Sequence, residues 1–204
     1  MIWIGTSGYN YPEWKGSFYP RDLAAAKMLP YYAARFPTVE INYTFYRMPN
    51  ETLVATFCQV AGTLGDKLGA LLFQLPPNLK KDAALFDAFL EELPPKACAA
   101  FEFRHESWLD DEIYARLAAR NLALCVADSE KLSTPVRTTA DYAYFRLRDE
   151  GYTPDDIKQW ADTIARETTA RCRDVYVYFK HEEQGKGPEF AAMLRERLAL
   201  GAGR

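Results

Sequence analysis

The chain has 204 residues, 49% of them hydrophobic and 14% aromatic, enough for one well-filled domain and far from a disordered composition. A formal net charge of −3 and a pI near 5.5 argue against a general polyanion binder such as a nucleic-acid protein, although a local basic patch is compatible with both. The four cysteines are widely separated and the chain has two histidines, so no Cys/His metal set is expected and the thiols read as reduced core residues of a cytoplasmic protein. "MIWIGTSGYNYPEW" offers neither a basic leader nor an apolar run, and no stretch approaches the ~18 residues of a membrane helix, so no membrane partner is expected.

In chain order, seven short apolar runs read as strands: "IWIG" (2–5), "TVEIN" (38–42), "ALLFQL" (70–75), "CAAFEF" (98–103), "LALCVA" (122–127), "DYAYFRL" (141–147) and "DVYVYF" (174–179). Helical stretches with start signals lie between them. Asn50 precedes "ETLVATF", Asp82 precedes "AALFDAFLEEL", Ser107 precedes "WLDDEIYARLAAR", and Thr153 with Pro154 opens a fourth. Pro188 opens the last, whereas "DSEKLSTPVRTTA" (128–140) is too irregular for a helix. Strands alternating with helices imply parallel pairing through right-handed crossovers. The expected fold is a TIM-type (β/α) barrel in a single domain over 1–204. A doubly wound open sheet is disfavoured because "GTSGY" lacks the glycine spacing of a dinucleotide turn.

Period two then sorts the strand side chains. In "CAAFEFR" Phe101 and Phe103 share one face, and Glu102 and Arg104 the other. In a barrel the rings face the helices and the charges face the interior near the C-terminal mouth. "TVEIN" repeats the scheme with Glu40 and Asn42 inward. Ser7, Gln74, Asp128, Arg146, Lys180 and His181 also stand at or beyond strand C-termini, and "GYNYPEWKGSFYP" sets Trp14 among rings that can rim the mouth. Glu40 and Glu102 are candidate acid–base groups. Arg104, Arg146 and Lys180 suit a phosphate or carboxylate, and Ser7, Asn42, Gln74, Asp128, His181 and Trp14 complete a candidate ligand site. The competing reading is that these charges pair with one another and only fill the barrel interior.

The stretches "IGTSGYNYPEWKGSFYP", "VEINYTFYRMP", "LGDKLGALLFQLPPNL", "FEFRHESW", "YFRLR" and "VYVYFKHEEQGKGP" run in order over almost the entire chain and resemble the family known as domain of unknown function 72, the YecE-like proteins. The resemblance implies a TIM-type barrel with a polar site at the strand C-termini, and places Glu40, Asn42, Gln74, Glu102, Arg104, Asp128 and Arg146 on the family's polar motif positions. It implies no assigned reaction. The family's third strand, which carries a lysine and is followed by a Thr-His pair, has no counterpart: "NETLVATFCQV" runs directly into "AGTLGDKLG", so one βα unit is missing between about Phe57 and Ala61 and the barrel is expected to be incomplete or distorted. Where many members carry two asparagines after the last strand, this chain has Lys180 and His181.

Three functions fit these residues. One is a hydrolase- or isomerase-class enzyme acting on a small anionic or sugar-like ligand. A second is a non-catalytic binding module for a nucleotide, a nucleic-acid end or a partner protein. The third is a scaffold that lost its function with the missing unit. No cofactor is indicated by any motif.

Overall fold

The computed structural model describes residues 1–41, 51–129, 132–168 and 170–201. Its strands are β1 (Ile2–Ser7), β2 (Thr38–Glu40), β3 (Leu71–Gln74), β4 (Ala99–Glu102), β5 (Ala123–Asp128), β6 (Tyr142–Leu147) and β7 (Asp174–Phe179). They alternate with α1 (Met28–Ala33), α2 (Glu51–Gly62), α3 (Ala83–Glu91), α4 (Asp111–Ala119), α5 (Pro154–Thr168) and α6 (Lys186–Gly201), except between β5 and β6, where the connection is irregular. Among the described residues no helix is long and apolar enough to cross a membrane.

All strands are parallel and form one sheet in the order β2-β1-β7-β6-β5-β4-β3. This is barrel order: each neighbour follows by a one-unit crossover, and β1 sits beside β7 as in a closing barrel. Closure fails at one place. Among the described residues β2 and β3 do not pair, so the curled sheet is an incomplete barrel with its seam where the missing unit was expected.

The starts of the helices follow local chemistry. Asp82 accepts the Leu85 N–H at 2.9 Å and opens α3 as expected. Thr153 and Asp156 exchange bonds at the start of α5 in a reciprocal cap. For α4 the cap is Asp110, which accepts the Ile113 N–H at 3.0 Å, not Ser107; residues 106–108 form a separate short 3-10 turn. The last helix begins at Lys186, two residues before Pro188. No start signal marks α1: it lacks a side-chain cap and carries Pro30 inside its six residues.

Period two governs the packing. Outward-facing Phe73, Phe101 and Phe103 pack with Phe86, Phe89 and Trp108 under α3 and α4, the Phe103 and Trp108 rings stacking at 5.1 Å. A second outer core lies beneath α1, α5 and α6. Inside, Ala100, Ala123 and Cys125 of β4 and β5 leave room for Tyr142, Tyr144 and Tyr178 of β6 and β7. These tyrosines also bond across the barrel: the Tyr142 hydroxyl accepts the Ala99 N–H and donates to the Ala99 carbonyl, both at 2.8 Å, and the Tyr178 hydroxyl meets Thr38 Oγ1 at 2.8 Å.

The junction of β1 and β2 is unusual. The Tyr32 hydroxyl enters from α1, accepts the Thr6 N–H at 2.8 Å and donates to the Thr38 carbonyl at 2.9 Å, standing where a direct ladder bond would run. Gly5 makes room for this. A Cβ there would overlap the Thr38 carbonyl oxygen and lie 2.9 Å from the Tyr32 hydroxyl. Gly5→Ala is therefore expected to lose about 3 kcal/mol, the upper part of the usual overpacking range, read as a lower urea midpoint; an unchanged midpoint would mean that β1 and β2 part there freely.

Candidate functional site

The C-terminal ends of β1, β2, β4 and β6 meet at one guanidinium. Arg146 is 1% exposed. Its Nε donates to both Glu40 oxygens, at 3.0 and 3.2 Å, and its Nη1 donates to Glu102 Oε2 at 3.0 Å. Its Nη2 reaches Ser7 Oγ at 3.3 Å, and that hydroxyl donates to Glu40 Oε1 at 2.7 Å. The Tyr144 hydroxyl donates to Glu40 Oε2 at 2.9 Å. Burial works against the Arg146 charge, but Glu40 and Glu102 outweigh it and raise its pKa. Burial, and after it the Glu40 charge, push the Tyr144 phenol well up, so it serves as a donor. Glu40 and Glu102 are thus brought together, by a shared arginine between them. The arrangement matches the interior-filling reading for these two and Arg146, and it does not expose either carboxylate as an acid–base group: Glu40 is 4% and Glu102 0% exposed.

Above this layer the mouth opens into a cleft of ≈ 560 Å³. Arg104, Arg148, Lys180 and Lys186 supply its cations, and Glu150, Glu182 and Glu183 its carboxylates. Lys180 pairs with Glu182 at 3.8 Å and Lys186 with Glu189 at 2.9 Å. The two arginines share one ion-pair partner: Arg148 Nη2 lies 3.3 Å and Arg104 Nε 3.9 Å from Glu102 Oε1. Burial first, then repulsion from Arg148, lower the Arg104 pKa; Glu102 opposes this only in part. Arg148 was not anticipated, nor was Tyr144, yet the signal exists: Tyr142, Tyr144, Arg146 and Arg148 are a single period-two face of "YAYFRLR".

Other expected residues lie elsewhere. Trp14 is fully buried in the outer core, its ring 4.8 Å from Tyr11 and 6.1 Å from Tyr19, and plugs the space beneath the start of α6. Asp128 faces the helix side, where it accepts from Tyr152 at 2.7 Å and Ser133 at 3.1 Å. It lines a separate crevice of ≈ 480 Å³ with Asp149, Tyr152, Asp156 and Trp160. His181 is built into the wall: its Nε2 meets the Asp149 carbonyl at 2.7 Å and its ring packs on Phe190 at 5.1 Å, while one edge borders the mouth cleft. Gln74 is buried at the end of β3, in register with Glu102. Asn42 lies outside the described residues, as do Tyr43, Phe45, Tyr46 and Arg47. Among the described residues no group of three or more His, Cys, Asp or Glu is placed to hold a metal ion.

Removing the shared arginine strands two buried carboxylates. Arg146→Met is expected to destabilise the fold by about 3–5 kcal/mol, with Arg146→Lys intermediate because one ammonium cannot span both partners. Chemical denaturation of the two variants measures this; a loss below about 1 kcal/mol in Arg146→Met would contradict it.

The sequence pattern of the family described as "Protein of unknown function DUF72" matches residues 3–59 and 50–203. The two blocks overlap within α2, which is where the missing βα unit was expected. A DUF72 family protein of Thermotoga maritima MSB8 superposes with a TM-score of 0.83 at 25% identity, covering 98% of this chain and 99% of that one. Two structures of a DUF72 family protein of Enterococcus faecalis V583 superpose with TM-scores of 0.77 and 0.74 at 15% and 16% identity, each over 98% of this chain and 96% and 98% of theirs, and share its fold. No curated protein matches. With a matched pattern running from residue 3 to 203, this chain belongs to the DUF72 family.

Proposed function

We propose that the chain binds a small anion, a phosphate or carboxylate group on a soluble molecule, in the cleft at the strand C-termini. The observation that carries this reading is the sharing of one Glu102 oxygen by Arg104 and Arg148, while the other Glu102 oxygen is already held by Arg146. Three arginines face two carboxylates, Glu40 and Glu102, which leaves the end of this network one positive charge in excess, on the side that borders the cleft. An incoming anion would offset both the burial and the Arg148 repulsion that lower the Arg104 pKa. Guanidinium forks also match the paired oxygens of phosphate and carboxylate.

Binding is favoured over acid–base catalysis because both carboxylates are buried and already committed to arginines, Glu40 to Arg146 and Glu102 to Arg146, Arg148 and Arg104. Their role in this reading is to aim the arginines. The hydrolase or isomerase assignment would need a different proton carrier.

A thermal melt against inorganic phosphate, citrate and a neutral sugar tests this. At 100 times its dissociation constant an anion stabilises by ~2.7 kcal/mol, which for a chain of this size raises Tm by roughly 5–10 °C. The shift is expected with the anions, absent with the sugar, reduced by 0.5 M salt and at least halved in Arg148→Ala and Arg104→Ala. Equal shifts in wild type and both variants would exclude the cleft as the site.

A further inference from the structure

Resting on the reading of the cleft as an anion site, we infer that Glu102 selects the ligand: its Oε1 accepts a hydrogen bond from an O–H or N–H carried beside the ligand's anionic group. Glu102 is 0% exposed, and its two oxygens are treated unequally. Oε2 accepts from Arg146 at 3.0 Å. Oε1 has ion contacts with Arg148 and Arg104 but accepts no hydrogen bond among the described residues, and the Nε of that Arg148 guanidinium is likewise buried without a hydrogen-bond partner. A fully buried carboxylate oxygen rarely goes without a donor. A donor on Arg148 and an acceptor on Glu102 are thus left over on two side chains that touch, and Arg148 and Arg104 line the cleft.

Arg104 is the part of this arrangement that can move. Its side chain is 32% exposed, and at 3.9 Å its contact with Oε1 is too long for a hydrogen bond. An anion in the cleft draws this guanidinium off Glu102 and opens Oε1 to the space it covered. A hydroxyl or amine on a carbon one or two bonds from the anionic group then satisfies Oε1. A ligand that presents a second anionic oxygen there is rejected by the carboxylate. The preferred ligand class is therefore a hydroxylated or aminated anion, such as a polyol phosphate or a hydroxy acid, over a bare anion.

Propyl phosphate and glycerol 1-phosphate share a phosphate monoester and a three-carbon chain and differ in their hydroxyls, so calorimetric titration of both isolates the role of Oε1. Wild type is expected to bind glycerol 1-phosphate at least tenfold more tightly. In Arg104→Ala both affinities fall and the ratio survives. In Glu102→Gln the ratio falls severalfold, because Arg146 retains the amide oxygen and the ligand hydroxyl exchanges a charge-assisted bond to the carboxylate for a neutral one from the amide N–H₂. If wild type binds neither phosphate, the anion reading of the cleft fails and this inference with it. If it binds both equally, the anion site stands and the role of Glu102 is wrong. A tenfold ratio that persists in a folded Glu102→Gln also overturns the role. Should Glu102→Gln not fold, the wild-type and Arg104→Ala ratios still decide.

Discussion

A charged guanidinium at the centre of a barrel must be answered by carboxylates, and those carboxylates must be held still. Arg146 sits in an apolar surround, where an unpartnered charge is prohibitive. Glu40 answers it from β2 and Glu102 from β4, and each is fixed in turn: Glu40 by Ser7 and Tyr144, Glu102 by Arg148. One side chain thereby ties together the ends of four strands that are distant in sequence, with Arg146 and Glu40 106 residues apart. The polar layer fixes relative heights in the sheet, since a shift of one residue would turn each of these groups to the helix side.

Below that layer, size complementarity takes over. Small side chains on β4 and β5 face large tyrosines on β6 and β7, and the Tyr142 and Tyr178 hydroxyls find backbone or threonine partners across the interior. Tyr32 does the same between β1 and β2. Phenols thus supply hydrogen bonds at places where the sheet cannot supply its own, and do so while filling volume.

Much of this was legible before any coordinates. Alternation in "CAAFEFR" and "TVEIN" put Glu102 and Glu40 inside, and the seven apolar runs gave the strand count. What failed was applying a single label, strand end, to residues of opposite parity. Asp128 shares its face with Leu124 and Val126, and His181 with Phe179, so both point toward the helices. The same count applied to "YAYFRLR" would have added Tyr144 and Arg148. The burial of Trp14 was illegible for a different reason. A dense run of rings in a loop reads equally as a rim or a plug, and only the neighbours supplied by α1 and α6, far away in sequence, decide for the plug. The start of α1 had no local signal because its stability comes from burying Met28 and Tyr32, not from a cap.

The seam between β2 and β3 has a consequence for how such a barrel can change over time. Every group in the Arg146 network comes from β1, β2, β4 or β6, and none depends on a strand between β2 and β3. The family pattern matches in two blocks, residues 3–59 and 50–203, that meet in that interval. The molecule is in this sense modular around its circumference: one unit can leave while the keystone keeps its partners. The interval after β2 is then the joint at which this architecture tolerates the gain or loss of whole units, and strands that feed the guanidinium are those at which it does not.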